Sequence, residues 1–349
     1  MRELNENLFK GCIKRKISFT ASTFVKFLIT GTVAISLTAC GGGGGGGGSS
    51  SSGGNNMIIK FPGVDNIIAR ELIENNNIIF DKNIEINNVD FNNAGLKVSE
   101  NSDVTINNSG KIEISGEKGI TGVVVFGNSK VVNKGTIKVS SDYLHESKTE
   151  DLPIDVAVKY MSKGMLITDN SIGINEGTIE IEGSTTGILA YGKGSTGINK
   201  GTIKIVGDTL GSTWEEAPVI GMVSLVGGKV VNEGNISGSI YGQMGMFSYQ
   251  GELVNNGTIQ LSENDSYGMV VQEGYIENGE NGKIILSHGT GRDPNHYYST
   301  ANEAMEVSSG KAVNKGKIEI NNEYIYTNYD YPNMDFDDIA DIGMYGNYQ

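Results

Sequence analysis

The chain has 349 residues, of which 50 are glycine and one is tryptophan, and its formal net charge is −14 at pH 7. A chain this acidic is not expected to bind nucleic acid, whose phosphates attract basic surfaces. A hydrophobic fraction of 38% is thin for a single globular core, but it is enough for a solenoid that buries a narrow column.

The first 39 residues have the features of an export signal. A long basic n-region precedes an apolar stretch, from about residue 27 to 37, that is too short to span a membrane as a helix. The stretch ends in Leu37-Thr38-Ala39-Cys40, which matches the lipobox of bacterial lipoproteins. We therefore predict a signal peptide over residues 1–39 and a lipid on Cys40 that anchors the protein to a membrane. An ordinary signal peptide with a chance cysteine is the alternative.

Residues 40–56 are predicted to be a tether, because their glycine- and serine-rich composition is typical of flexible linkers. The chain has two cysteines, and Cys12 would leave with the signal, so no disulfide is expected in the mature chain. Residues 57–100 are predicted to cap the first coil of a solenoid. Within them, the apolar spacing in Val64 to Glu74 favours a short amphipathic helix that would hide an edge strand.

From residue 101 to the end, a short phrase of the form Asn-x-Gly-Thr-Ile recurs. The phrase begins at Asn133, Asn175, Asn199 and Asn255, and in looser form at Asn108, Asn232, Asn278 and Asn314. Its glycines are mostly 23–25 residues apart, with occasional longer spacings. A fixed period of this size indicates a solenoid in which each repeat forms one coil.

Each part of the repeat predicts a local structure. Apolar residues alternate after the glycine, as in Ile203 and Ile205, which indicates a strand with one buried face. The Asn-x-Gly before it predicts a turn, because both residues tolerate left-handed backbone angles. A second strand begins nine to eleven residues earlier with a Gly-Met pair, and this one column holds six of the eleven methionines.

These columns predict a right-handed parallel β-helix, an all-β solenoid with coils of about 23–25 residues. The charge between the two buried apolar positions alternates in successive repeats, reading Glu113, Lys138, Glu180 and Lys204. Stacked coils would place each of these charges against its opposite. An antiparallel all-β array is the alternative, but it leaves the columns of asparagine, methionine and isoleucine unexplained.

Three long insertions fall at the same place in the repeat, after the Gly-x-Ile strand and before the Gly-Met strand. They span residues 141–163, 208–219 and 287–303, and a fourth spans 321–341. Insertions in phase project from one edge of a solenoid, which is often its binding face. The partner-binding candidates in them are Tyr143, His145, Trp214, His296, Tyr297 and Tyr298. Alternatively, these side chains fold back and cover their own coil.

The sequence shows no catalytic constellation. A glycosidase needs two carboxylates across a cleft, and a β-helical lyase needs a basic residue beside bound calcium, and neither pattern is found. The histidines lack zinc-ligand spacing, and the aspartates near the C-terminus fit no EF-hand loop. We therefore predict no catalytic residue, no metal and no cofactor.

The repeats, together with the export segment, resemble the passenger domains of Gram-negative autotransporters, which are β-helical surface proteins. The resemblance covers about residues 84–349 and implies an adhesin or interaction module at the outer membrane or cell surface. Its implied partners are proteins or glycans of a host or a neighbouring cell. A polysaccharide-acting enzyme is the runner-up. Because the chain stops five residues after Met344, in mid-coil, we expect the N-terminal part of a longer protein or a coil that a partner chain completes.

Overall fold

A computed structural model describes residues 61–141, 158–183, 185–207, 219–240, 242–263, 266–287, 302–321 and 345–346. Their regular secondary structure is β-strand, joined by short turns, apart from a 3-10 turn at Val64–Asn66 and a helical turn at 158–160. All of the strand pairings among them are parallel, and partners lie about one repeat apart in sequence. The predicted right-handed parallel β-helix is therefore confirmed.

Three strands make one coil. In chain order the strands are β1 (Ile68–Glu74), β2 (Asn77–Phe80), β3 (Asn83–Val89), β4 (Asn93–Ser99), β5 (Asp103–Ile106), β6 (Lys111–Gly116), β7 (Thr121–Val125), β8 (Lys130–Asn133), β9 (Thr136–Ser141), β10 (Ser162–Thr168), β11 (Ile172–Asn175), β12 (Thr178–Glu182), β13 (Thr185–Tyr191), β14 (Thr196–Asn199), β15 (Thr202–Ile205), β16 (Ile220–Leu225), β17 (Lys229–Asn232), β18 (Asn235–Gly238), β19 (Met244–Asn255), β20 (Thr258–Ser262), β21 (Tyr267–Asn278), β22 (Lys283–Ser287), β23 (Glu303–Val307), β24 (Lys311–Asn314), β25 (Lys317–Asn321) and β26 (Tyr345–Gly346).

Stacked coils form three ladders. The first ladder begins with β1, β4, β7 and β10 and carries the methionine column; the second begins with β2, β5 and β8; the third begins with β3, β6 and β9. In β19 and β21 a single 12-residue strand serves both the first and the second ladder. The sequence predicted two strands per coil. The second ladder was missed because its strands are mostly four residues long and run directly into the turn.

The helix predicted over Val64 to Glu74 is wrong. Only Val64–Asn66 form a helical turn, and β1 pairs in parallel with β4 from Ile68 onward. Backbone hydrogen bonding along the β4 edge outweighs the weak amphipathic pattern, because an open strand edge leaves its polar groups unpaired. As a result, two large apolar side chains on the outer side of the first coil remain in solvent: Ile68 is 69% exposed and Leu72 is 54% exposed.

The core lies inside the coil, where the predicted columns stack in register. Met165, Ile188 and Met222 pair along the first ladder, and Ile179 and Ile203 pair along the third. All five side chains are fully buried and belong to one continuous apolar cluster. The interior is therefore a narrow apolar column, as the low hydrophobic content predicted.

The motif asparagines form a buried hydrogen-bonded ladder. In each step the side-chain Nδ2 of one asparagine donates to Oδ1 of the next at 2.8 Å, through Asn133, Asn175, Asn199, Asn232, Asn255, Asn278 and Asn314. All but the last are fully buried. Asn108 is not a member, because Ile106 pairs with Asn133 in that coil. Stacked amides satisfy one another, which is why an interior corner tolerates them.

The motif positions require glycine because the backbones of neighbouring coils approach closely there. The sequence analysis attributed these glycines to left-handed backbone angles, and that reason is wrong. The φ angles of Gly135, Gly177 and Gly201 lie outside the left-handed region. A Cβ on Gly177 would lie 2.1 Å from the carbonyl oxygen of Gly135, and one on Gly201 would lie 2.1 Å from that of Gly177. Each glycine therefore stacks on the backbone of the previous one with no room for a side chain.

Of the alternating charges on the outer face of the third ladder, Lys138 and Glu180 pair as predicted, whereas Glu113 pairs with Lys111 of its own strand. Nζ of Lys138 lies 3.0 Å from Oε1 of Glu180, and the side chains are 36% and 28% exposed. The hydrogen bond with Glu180 raises the pKa of Lys138. The motif residues Lys134 and Glu176 form a longer pair at 3.8 Å. Because such exposed pairs contribute little energy, they set the register more than the stability.

The outer face of the first ladder differs, because its side chains are apolar and buried. Its central column contains Val124, Leu166, Leu189, Val223, Phe247 and Val270, each at most 2% exposed. They belong to a second apolar cluster, outside the coil, that also includes Phe61 and Tyr191. We call this face the outer stripe. The first ladder is thus buried on both sides, as continuous apolar strands usually are.

The first described residues lie on the outer stripe. The Phe61 ring meets the Tyr191 ring edge-on, with centroids 5.4 Å apart. The backbone N–H of Phe61 donates to Oγ1 of Thr168 at 2.8 Å. Below it, the fully buried Nζ of Lys163 donates to the carbonyl of Met161 and lies 5.2 Å from the Phe61 ring centroid. Burial lowers the pKa of Lys163 to about 7.

Candidate functional site

The four predicted insertions share one corner of the solenoid. The described residues are interrupted after β9, β15, β22 and β25, which are all third-ladder strands. Each time the chain resumes in the first ladder, at or just before β10, β16, β23 and β26. We call this edge the insertion corner. The prediction that the insertions lie on one edge is confirmed.

The predicted site residues lie outside the described residues. This holds for Tyr143, His145, Trp214, His296, Tyr297 and Tyr298 in the insertions, and for Cys40. Their roles in partner binding and lipidation therefore stay predictions, as do the signal peptide and the tether.

A groove of about 380 Å3 lies at the insertion corner in the first three coils. Its lining residues are Asn88, Val89, Asp90, Ser115, Gly116, Glu117, Ser140 and Ser141. They come from the ends of β3, β6 and β9 and from the residues that directly follow β3 and β6. Ser141 is the last described residue before the first insertion, so the groove reaches the point at which that insertion begins.

A register shift lies at the corner at this point. Pairing between β3 and β6 slips between Ile86 and Val89, and Asn88 between them has a φ of 55°. Asparagine adopts this left-handed backbone more readily than most residues. Opposite, Gly116 has a φ of 155°, and a Cβ there would lie 2.2 Å from the carbonyl oxygen of Val89. The groove therefore depends on glycine at this position.

The groove contains hydroxyl groups that are already engaged as donors. Oγ of Ser115 donates to Oδ1 of Asn87 at 3.0 Å, and Oγ of Ser140 donates to Oε2 of Glu182 at 2.9 Å. A hydroxyl has one hydrogen and two lone pairs, so both serines offer only acceptor capacity to a ligand.

Two carboxylates of the groove, Asp90 and Glu117, are exposed and have no ion pair within the described part of the chain. This contrasts with the outer carboxylates of the third ladder, such as Glu180, which pair with lysines. No lysine, arginine or histidine is among the described residues that line the groove. The described lining therefore carries two carboxylates.

An aromatic pair, Phe91 and Tyr160, lies beside the residues that follow the two carboxylates in sequence. Phe91, directly after Asp90, is 40% exposed, and its ring lies 5.3 Å from that of Tyr160. Nζ of Lys118, directly after Glu117, lies 5.3 Å from the centroid of the Tyr160 ring. A Cβ on Gly119 would lie 2.4 Å from the Phe91 ring, so glycine makes the space that the ring fills.

Sequence reasoning missed the groove. Asp90 and Glu117 are separated by 27 residues and do not occupy an alternating column, so no periodic signal marks them. The sequence feature that could have marked Asp90 and Glu117 is the lack of a lysine at the matching position of the neighbouring repeat.

The described residues contain no group of three or more His, Cys, Asp or Glu that could hold a metal ion. Over the same ranges, no helix is long and apolar enough to cross a membrane. The described lining of the groove thus offers carboxylates, hydroxyls and the amide of Asn88.

A protein-family model described as the BigA third pectate lyase-like domain matches residues 49–235. The match covers more than half of the chain and extends from the predicted tether into β18. Searches of curated proteins and of solved structures find no match. A pectate lyase-like fold agrees with the three-ladder parallel β-helix described above. The chain therefore belongs to the family of the BigA third pectate lyase-like domain, a domain of bacterial surface proteins.

Proposed function

We propose that this protein is an adhesin or interaction module of autotransporter-like type, displayed at the outer membrane or cell surface. The observation that carries the proposal is the insertion corner, where all four insertions leave a rigid solenoid along one edge. Binding residues commonly lie on loops that a rigid scaffold positions. Membership in a family of surface-protein domains supports exposure on the cell.

The proposed partner is a protein or glycan of a host or neighbouring cell. The predicted contact residues Trp214, Tyr297 and Tyr298 are of the type that dominates binding energy at interfaces. The lipobox at Cys40 supports attachment to a membrane, and the glycine- and serine-rich residues after it would hold the folded solenoid away from that surface.

Attachment of the mature chain to cells or matrix tests the proposal. A variant with Trp214, Tyr297 and Tyr298 replaced by alanine should lose attachment. Its thermal unfolding temperature should stay within about 2 °C of the parent, because the proposal has these side chains contact a partner and not their own coil. The matched control replaces Lys130, Lys229 and Lys311 by alanine, because these residues lie in second-ladder strands and not in the third-ladder strands that lead into the insertions. Unchanged attachment of the aromatic variant would refute binding through this edge.

The anchor is tested separately. Cys40→Ala should release the protein from the membrane fraction or block its processing, and mass spectrometry of the wild-type chain should find a lipidated N-terminus at Cys40. A mature N-terminus at another residue would refute the anchor and leave the adhesin proposal standing.

A polysaccharide-acting enzyme is the second candidate, because Asp90 and Glu117 are two carboxylates that line one groove. We favour binding over catalysis. A β-helical lyase needs a basic side chain beside the sugar, and none of the described residues that line the groove is a lysine, arginine or histidine. Release of new reducing ends from a polysaccharide, lost in Glu117→Gln, would establish the enzyme instead.

A further inference from the structure

We propose that residues 55–60 dock on the outer stripe, so that the predicted tether leaves the solenoid from its side and not from its first coil. These residues read Asn-Asn-Met-Ile-Ile-Lys and lie outside the described residues. They directly precede residues 61–67, which cross the outer stripe and which we call the strap. The inference goes beyond the proposed function and holds whether or not Cys40 carries a lipid.

The strap fixes the direction in which the chain arrives. At its end, the backbone carbonyl of Ile67 accepts a hydrogen bond from Nζ of Lys97 in β4 at 3.3 Å. At its start, Phe61 contacts Thr168 in β10 and Tyr191 in β13. Followed backward along the chain, the strap therefore runs across the strands, away from the first coil and toward the later ones.

The side of the strap that faces the outer stripe is apolar at every third residue. Phe61, Val64 and Ile67 are buried and belong to the apolar cluster of the outer stripe. The strap residues between them are partly or fully exposed. The same spacing, continued backward by three residues, reaches Ile58. Ile58 is therefore the residue that faces the stripe, and Ile59 beside it falls on the solvent side.

The outer stripe continues past the strap over a length that this segment can cover. The strap crosses two coils from β4 to β10 and a third to β13, which is about 2 Å per residue at roughly 4.8 Å between neighbouring strands. Three further residues advance by about one coil, to the level of β16. Val223 in β16 and Phe247 in β19 belong to the outer stripe and are at most 2% exposed, so this part of the stripe is covered as well.

The composition of the segment matches this surface. Met57, Ile58 and Ile59 are the apolar run nearest to the strap in the chain, and burying apolar surface against the stripe stabilises the contact. The glycine- and serine-rich residues before Asn55 then leave the solenoid beyond β16, far from the first coil. A solenoid held in this way has its first ladder toward the point of attachment and its other two ladders facing away.

Cysteine labelling of the mature chain tests the position of the segment. Ile58→Cys should react with a maleimide at least tenfold more slowly than Ile59→Cys, after correction for Cys40 in the wild-type chain, and denaturant should abolish the difference. Ile59→Cys is the matched control, because it changes the same residue type one position away. Ile58→Asp should also lower the thermal unfolding midpoint by at least about 3 °C, and Ile59→Asp should not. Equal labelling rates at the two positions would overturn the proposal.

Disulfide trapping identifies which part of the chain covers the stripe. Ile58→Cys should form a disulfide with Val223→Cys or with Phe247→Cys, and it should form none with Lys204→Cys on the outer face of the third ladder. Trp214→Cys combined with Val223→Cys tests the insertion before β16 as the alternative cover. A disulfide from position 214 with none from position 58, or no disulfide from position 58 to either stripe residue, would overturn the proposal.

Discussion

The outer faces of the first and third ladders differ sharply, although the same parallel stacking builds both. Along the third ladder, Glu180 and Lys138 pair at the surface and remain about one-third exposed. Along the first ladder, the equivalent outward residues Leu166 and Leu189 are completely buried. The difference teaches that each strand of a β-helix has its own surroundings. An alternating strand has one solvent face, whereas a continuous apolar strand is covered on both.

The largest expected effect tests whether the outer stripe is packed like a core. Phe247→Ala should lower the free energy of unfolding by about 3–5 kcal/mol, because it removes a buried aromatic ring. Lys204→Ala, on the outer face of the third ladder, should change it by less than about 0.5 kcal/mol. Denaturant unfolding measures both. A loss of under 1 kcal/mol for Phe247→Ala would show that the stripe is only loosely covered.

The second prediction concerns Lys163, a lysine whose side chain is buried at this apolar face. Its pKa is about 7 when folded and 10.5 ordinarily, so between these values the unfolded chain binds the proton and the folded chain does not. Stability therefore rises with pH from about 7 to about 10.5, and the destabilisation is fully present below pH 7. Lys163→Met should stabilise the protein by about 2–4 kcal/mol at pH 6, and the gain should shrink toward pH 10.

Lys138→Met supplies the control for the pH dependence, because Lys138 is exposed and its pKa is raised by Glu180. It should not produce a gain in stability at pH 6. A constant difference in stability between Lys163→Met and the wild type from pH 6 to pH 10 would contradict the burial of the Lys163 amine beneath Phe61.

How far the sequence predicts these faces depends on the kind of contact. The asparagine, glycine, methionine and charge columns were readable, because stacked coils place like positions on one another and repeat them every 23–25 residues. The residues that cover the outer stripe could not be predicted from the sequence. Phe61 contacts Thr168 across 107 residues, and no local period encodes that distance. The groove was hidden for a related reason, since it lies at a register shift near Asn88, where the repeat pattern is interrupted.

The third prediction compares a polar ladder inside the coil with the charged ladder outside. Asn199→Ala breaks two 2.8 Å hydrogen bonds and leaves Asn175 and Asn232 each with one unpaired buried group. We expect a loss of about 2–4 kcal/mol in denaturant unfolding, at about 1–3 kcal/mol for each such group. Asn108→Ala, exposed and outside the ladder, should be neutral within about 0.5 kcal/mol. Equal effects of the two substitutions would refute the ladder.

The smallest expected effect belongs to the charged face itself. A double-mutant cycle on Lys138→Ala and Glu180→Ala should give a coupling energy of about 0.2–1 kcal/mol, because the pair is exposed and screened by salt. The coupling should fall further at 1 M salt. A coupling above 2 kcal/mol that is insensitive to salt would mean that the third ladder is covered as well.

Cysteine labelling on intact cells tests the central claim most directly, namely that this is a surface-exposed β-helix with one covered and one open outer face. Cells that carry Leu189→Cys or Lys204→Cys are each treated with a membrane-impermeant maleimide. Cells with the wild-type chain are the control for labelling of Cys12 and Cys40. The account predicts rapid labelling of Lys204→Cys and labelling of Leu189→Cys only after denaturation. Equal labelling of both variants, or protection of Lys204→Cys on intact cells, would contradict it.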